Sequence, residues 1–197
     1  MKPYYQTHSA GWLFLLVVIA FFGAETIQFF RQRGWRKNAT RVATPAFWVA
    51  VVLWAVVATV MLHGGSRLAP EASMGNGVAV FIVGMVLLTA GAALRWGSFW
   101  ALGHYFTFTV NVSADQEVVT RGPYRVLRHP GYTGGLMAVI GIGVIYANWV
   151  GLAGWTLPCL LIIIWRIRIE EAALLKTAGA AYRAYASHHK RLVPLVW

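Results

Sequence analysis

Five apolar runs, each close to the length that crosses a lipid bilayer as a helix, dictate what this chain can fold into. They are Gly11 to Phe30, Ala46 to Leu62, Gly77 to Leu94, Tyr132 to Ala147 and Trp149 to Trp165. A bilayer core takes about 20 apolar residues in helical form, with about 17 as a lower bound. Lipid offers the backbone no hydrogen-bond partner, so a span of this length must satisfy its own amides, as a helix does. The second and third runs carry no charge, and the first holds Glu25 and Gln28 near its end. Only Asn148 separates the fourth from the fifth, which predicts a tight helical hairpin. The chain is 58% hydrophobic and 12% charged, whereas a soluble domain carries about 25% charge. That surplus of apolar surface does not fit into one soluble core. No Pro/Ser-rich linker, repeat or low-complexity tract divides the sequence, so residues 1–197 read as a single all-α integral membrane domain.

Charge placement sets the expected topology. With the N-terminus outside and five alternating spans, 15 of the 17 Lys and Arg fall inside. They are Arg31 to Arg41 after span one, Arg95 to Arg128 after span three, and Arg166 to Arg191 after span five, leaving Lys2 and Arg67 outside. The positive-inside bias favours this arrangement, and four or six spans would break it. The expectation is therefore five transmembrane helices, N-terminus out and C-terminus in, in a bacterial inner (cell) membrane with the polar face toward the cytoplasm. The net charge of +11 does not point to nucleic acid, because the cations sit between apolar runs and not on a solvated patch. No cleavable leader is expected ahead of the first run. Cys159 is alone, so it has no intrachain disulfide partner, and it reads as a small apolar residue.

The polar chemistry is gathered in two long inside stretches, Gly97 to Arg128 and Ile167 to Trp197. Val110 to Val119 alternates enough to be extended, and Glu170 to His189 reads as one amphipathic tail helix. The segment Arg121-Gly-Pro-Tyr-Arg-Val-Leu-Arg-His-Pro-Gly-Tyr-Thr-Gly-Gly135 packs three arginines, two tyrosines and a histidine among two prolines and four glycines. Pro130 suits the first turn of a helix, where its missing donor would be unpaired anyway. His129 would then stand at a helix N-terminus, a place that favours anions. An interfacial anchor of Arg and Tyr at headgroup depth is the competing reading. The second constellation is Trp165-Arg-Ile-Arg-Ile-Glu-Glu171. Arg166 and Glu170, four apart, share a helix face. They either make a solvated pair or face a polar cavity, the setting that a charge near the membrane otherwise requires. Gly134, Ala138 and Gly141 form a small-residue face that admits span five or a ligand. No dinucleotide fingerprint, phosphate loop or metal-spaced His/Cys/Asp cluster is found, and adjacent His188 and His189 are a weak metal signal.

Taken together and in order, these blocks resemble the isoprenylcysteine carboxyl methyltransferase family of membrane-embedded enzymes. The pattern is Gly122-Pro-Tyr124, Arg128-His-Pro-Gly-Tyr132, Arg166-x-x-x-Glu170-Glu171, Gly179-Ala-Ala-Tyr182-Arg-Ala-Tyr185 and Val193-Pro194. It covers about Phe106 to Pro194, so residues 106–194 are the implied methyltransferase catalytic core. The resemblance implies S-adenosylmethionine as cofactor, S-adenosylhomocysteine as product, and no metal. Carried over by motif, the cofactor contacts are Asn111, Gln116, Glu117, Val118, Val119, Tyr124, His129, Pro130, Gly131, Tyr132 and Glu170. At Asn111 the family usually has glutamine, and Gly131 stands where serine is common, which leaves a backbone contact. Arg166 matches the family's substrate arginine, so Arg166 and Glu170 are the implied catalytic pair.

The implied reaction is methyl transfer to a lipophilic or prenylated carboxylate at the inner face, with membrane lipid as surroundings. A carboxylate has a reference pKa near 4 and needs no base. Alignment of acceptor and methyl group can then supply about 7–11 kcal/mol. One alternative keeps the fold and methylates a phospholipid amine, phenol or thiol. Another is a non-catalytic membrane scaffold or transport subunit.

Overall fold

The computed structural model describes residues 4–6, 9–31, 45–75, 77–103 and 118–193. Those residues form six α-helices: α1 (Ala10–Arg31), α2 (Pro45–Leu68), α3 (Val78–Leu102), α4 (Pro130–Ile145), α5 (Trp149–Thr177) and α6 (Gly179–His188). Four of them, α1, α2, α3 and α5, are long and apolar enough to cross a membrane. The fourth run became a helix of 16 residues, about 24 Å of rise. Three helices overshoot their apolar runs, and α2 does so by continuing past Leu62 to Leu68. α3 continues to Leu102, so Arg95 lies within a helix and not in the loop where charge counting put it. α5 has 29 residues, about 43 Å, and carries Arg166 to Glu171 past the apolar stretch without a break. The single tail helix expected from Glu170 to His189 is thus two pieces. The chain bends at Ala178–Gly179, where Gly179 has φ +48, a conformation that costs glycine little.

The helices stand in the order α1, α3, α4, α5, α2, with antiparallel neighbours in the last four. α3 and α4 touch backbone to backbone. A Cβ on Gly91 would lie 2.5 Å from Ala138 N, and one on Gly134 would lie 2.6 Å from Gly91 O. Two turns along, a Cβ on Gly141 would meet Gly84 O at 2.6 Å. Small residues at this spacing let helices approach closely. The small face on the fourth run is therefore filled by α3, and not by span five or a ligand as its sequence spacing suggested. The expected α4–α5 hairpin is present, and Trp155 Nε1 donates to Val139 O at 2.7 Å across it. α2 closes on the far side of α5, with Trp54 Nε1 donating to Trp155 O at 2.9 Å.

One end of the bundle is sealed by Asn148. Its Oδ1 accepts from Gly151 N at 2.9 Å to cap α5, and its Nδ2 donates to Ala69 O at 2.9 Å. Such caps satisfy helix-terminal donors that a buried end would otherwise leave unpaired. Outward residues such as Leu16, Ile19, Val52, Val56, Leu157 and Leu161 are exposed apolar side chains, the surface expected of a helix in lipid. The opposite end gathers Glu25 of α1, Arg95 of α3, the start of α4 and the end of α5, and there the polar residues converge.

Candidate active site

The site is built where α4 begins. Gly122, at φ +59, turns the chain into a 3-10 segment, Gly122–Arg125, which buries Tyr124. Leu127 then pairs in a short parallel bridge with Lys190 of the C-terminal strap. His129 takes a non-helical conformation and Pro130 opens α4, the local geometry expected from the His-Pro step. The amides of Tyr132 and Thr133 both donate to His129 O, at 3.0 and 3.1 Å.

Tyr132 is the junction of the two sequence constellations. Its hydroxyl donates to Glu170 Oε2 at 2.8 Å and accepts from Arg166 Nε at 2.5 Å. The Arg166 guanidinium carbon also stands 5.8 Å from the centre of the Tyr132 ring. Arg166 and Glu170 are thus bridged by a phenol from another helix, which helix spacing alone did not reveal. His129 packs its ring 5.7 Å from Tyr132 but turns Nε2 toward Glu171 Oε1 at 3.3 Å.

Glu171 is the electrostatic hub that sequence reasoning missed. Arg128 Nη1 reaches its Oε1 at 2.7 Å, and Arg191 Nη2 and Nε reach its Oε2 at 2.8 and 2.9 Å. Tyr182 of α6 donates to the same carboxylate at 3.4 Å. The strap beyond α6 is pinned in parallel by two backbone amides and one side-chain hydroxyl. Arg128 N donates to Lys190 O at 2.8 Å, His129 N to Arg191 O at 3.1 Å, and Thr133 Oγ1 to Leu192 O at 2.8 Å. Tyr185 donates to the carbonyls of Tyr124 and Leu127, at 2.7 and 3.1 Å, and locks the 3-10 segment under α6. The signal for these contacts was present as the Tyr-x-x-Tyr of α6 and the second glutamate, but neither names its partner.

Burial sets the ionisation of the phenols. Desolvation pushes Tyr185 up to about 12, against the opposing pull of Arg128. Tyr124 and Tyr182 are held well above the ordinary phenol range, by burial first and then by the charges of Glu170 and Glu171 respectively. All three phenols are neutral at physiological pH. The hydrogen bond to Glu171 raises Arg191 above its usual value.

The structure thus brings Tyr124, His129, Pro130, Gly131, Tyr132, Arg166 and Glu170 to one end of the bundle. Val118 and Val119 are half-buried in the irregular lead-in to Gly122. Asn111, Gln116 and Glu117 lie outside the described residues, as does most of Val110 to Val119. Among the described residues no three His, Cys, Asp or Glu side chains stand close enough to hold a metal ion.

Residues 79–180 match the phospholipid methyltransferase family. A rice (Oryza sativa subsp. indica) protein named probable protein-S-isoprenylcysteine O-methyltransferase is 27% identical over 191 residues, covering 95% of this chain and 97% of that one. Protein-S-isoprenylcysteine O-methyltransferase A of Arabidopsis thaliana is 29% identical over 115 residues, 57% of this chain and 58% of its own. Among solved structures, the eukaryotic intramembrane Ras methyltransferase ICMT (isoprenylcysteine carboxyl methyltransferase) superposes with a TM-score of 0.61 at 26% identity. The match takes in 79% of this chain and 55% of that structure, so the chain spans just over half its length.

Proposed function

The chain belongs to the phospholipid methyltransferase family, alongside the isoprenylcysteine carboxyl methyltransferases, and we propose that it transfers a methyl group from S-adenosylmethionine to the carboxylate of a lipophilic, prenylated acceptor. The observation that carries this reading is the Arg166–Tyr132–Glu170 relay, a fork-shaped cation and a carboxylate held in register by one phenol.

When bound, S-adenosylmethionine supplies a methyl group already activated on a sulfonium sulfur. The donor set suits such a molecule: Glu170 offers a carboxylate to its ammonium end, and the segment from His129 to Tyr132, with Tyr124, lines the same corner. Val118 and Val119 belong to that wall, and Asn111, Gln116 and Glu117 are assigned to it by motif. Arg166 holds the acceptor carboxylate, for which a guanidinium makes a bidentate fork. The protein's part is then alignment, which can lower a barrier by about 7–11 kcal/mol.

The ionisation pattern favours a carboxylate over an amine. A carboxylate is charged and nucleophilic without a base. An ammonium must first lose a proton, yet the phenols here are neutral acids with raised pKa, and His129 is turned to Glu171. The family's phospholipid members nevertheless keep a headgroup amine as the second reading.

The placement follows from charge. With 15 of 17 cations on one side of a five-span alternation, the site faces the cytoplasm. α4 is the short fifth span. The polar cofactor arrives from the cytosol and the lipophilic acceptor from the bilayer, between helices.

The test is methyl transfer by the purified protein from radiolabelled S-adenosylmethionine to a prenylated cysteine with a free carboxylate, followed by alkali. A methyl ester releases its label as volatile methanol, whereas an N-methyl group does not. Volatile label supports the carboxylate reading. Base-stable label on phosphatidylethanolamine supports the second reading, and failure to bind S-adenosylhomocysteine in a calorimetric titration removes both. A folded Arg166→Ala protein with undiminished turnover would remove the role given to Arg166.

A further inference from the structure

Arg95 and Glu25 are paired charges that neither the motifs nor the relay account for. Both lie within apolar helices, α3 and α1. Ionised side chains at such positions are costly, and they persist when paired and put to use. Here the pair is bidentate. Arg95 Nε reaches Glu25 Oε1 at 2.6 Å, and Nη2 reaches Glu25 Oε2 at 2.7 Å, with both side chains largely buried.

The remaining terminal nitrogen does something an ion pair does not require. Nη1 donates to the carbonyl of Gly131 at 2.9 Å, in the first turn of α4. That carbonyl precedes Tyr132, whose hydroxyl bridges Arg166 and Glu170. The guanidinium carbon lies 4.8 Å from the Phe99 ring centre, which steadies it from its own helix. Neighbouring glycines open its path. A Cβ on Gly135 would come within 3.2 Å of Arg95 Nη1, and Gly134 admits the α3 backbone at Arg95 N itself, at 2.6 Å. The Gly134-Gly135 pair thus has two separate uses, one for the helix contact and one for the guanidinium.

We propose that Arg95 is a positioning residue for methyl transfer, which fixes the first turn of α4 through Gly131 O and is itself oriented by Glu25. α1, which contributes no residue to the methyltransferase motifs, sets the register of Tyr132 by this route. The inference rests on the functional reading above and extends it to two residues that touch neither cofactor nor acceptor.

The experiment measures affinity for S-adenosylhomocysteine, KM for each substrate and the thermal midpoint in wild type, Arg95→Lys, Glu25→Gln and Gly135→Ala. Removing one charge-assisted hydrogen bond from the support should weaken product affinity or raise the KM for S-adenosylmethionine by about tenfold. Arg95→Lys keeps one cationic donor, so its loss should be smaller than the full tenfold. Gly135→Ala leaves every charge in place and displaces only the guanidinium, so it tests the route even if the charge variants fold poorly. A lowered midpoint with unchanged product affinity and unchanged KM values in all three variants would overturn the proposal, since it would leave only a packing role. Failure of the wild type itself to bind S-adenosylhomocysteine would instead strike the functional reading from which the proposal starts.

Discussion

Replacing Glu171 by glutamine should loosen the C-terminal strap without unfolding the bundle. The substitution keeps the shape and removes the charge that faces Arg128, Arg191 and His129. Breaking a fully buried pair by removing one partner costs about 3–5 kcal/mol. The full figure does not apply here. The Glu171 side chain is 9% exposed and Arg128 14%, but Arg191 is 34% exposed and its share is screened by solvent. A hydrogen bond to a charged group contributes about 1.5–3 kcal/mol, so the Arg128 bond dominates and the loss should be about 2–3 kcal/mol. Expressed as local opening, that is about 30- to 150-fold. The strap offers a direct readout, because Arg128 N and His129 N donate to Lys190 O and Arg191 O. Hydrogen exchange at those two amides should accelerate by that factor in Glu171→Gln, while amides of the α3–α4 contact keep their protection. Unchanged exchange at Arg128 and His129 would refute the hub. Equal acceleration throughout the bundle would refute the strap, since Glu171 would then support the whole fold.

Three further outcomes follow from the same geometry. Gly91→Ala should destabilise by about 1–3 kcal/mol, the usual cost of overpacking, because the new Cβ would lie 2.5 Å from Ala138 N, which is backbone and has little room to move. Gly23→Ala, with nothing within 4 Å, is the control and should be neutral or stabilising in thermal unfolding. Tyr185→Phe removes the donor shared by two buried carbonyls and should cost about 1–3 kcal/mol, together with a loss of S-adenosylhomocysteine affinity as Tyr124 is released. The pH profile on a carboxylate acceptor should rise through about pH 4 and stay level from about pH 6 to 9, since Tyr185 titrates only at about 12. An increase of about tenfold per pH unit across that window would instead require deprotonation of an amine or phenol acceptor.

Helix locations were legible because apolar runs of bilayer length leave the backbone one solution. The local geometry at His129-Pro130 was legible for a similar reason, since proline restricts what can precede and follow it. Partner choice was not. Gly134, Ala138 and Gly141 announce a close neighbour, but only the matching glycines of α3, seven residues apart at Gly84 and Gly91, decide that it is α3. Charge counting treats Arg95 as a loop cation, because hydropathy falls at the first arginine whether or not the helix continues. α3 continues to Leu102 because Arg95 finds Glu25 and Gly131 O inside the protein. Hydropathy scales cannot register that compensation.

Glu170 and Glu171 show why adjacency in sequence is a poor guide to shared work. Successive residues on a helix point about 100° apart. That rotation sends Glu170 to Tyr132 on α4 and Glu171 to the strap and α6. The first carboxylate therefore sits in the relay with Arg166, and the second holds the C-terminal strap against the start of α4. The two meet again at α4, through Tyr132 and His129, three residues apart on its first turn. That turn is also where Arg95 arrives from the opposite side. In a chain with 6 acidic residues against 17 Lys and Arg, three of the acids converge, directly or through one arginine, on a single helical turn. Anything that rotates the start of α4 must therefore disturb all three ion clusters at once. This coupling predicts that double variants pairing Glu171→Gln with Glu25→Gln will be non-additive in S-adenosylhomocysteine affinity, although Glu25 and Glu171 lie on different helices. Strict additivity in a double-mutant cycle would show that the two supports act on separate elements, and the account of the α4 turn as their meeting point would then fail.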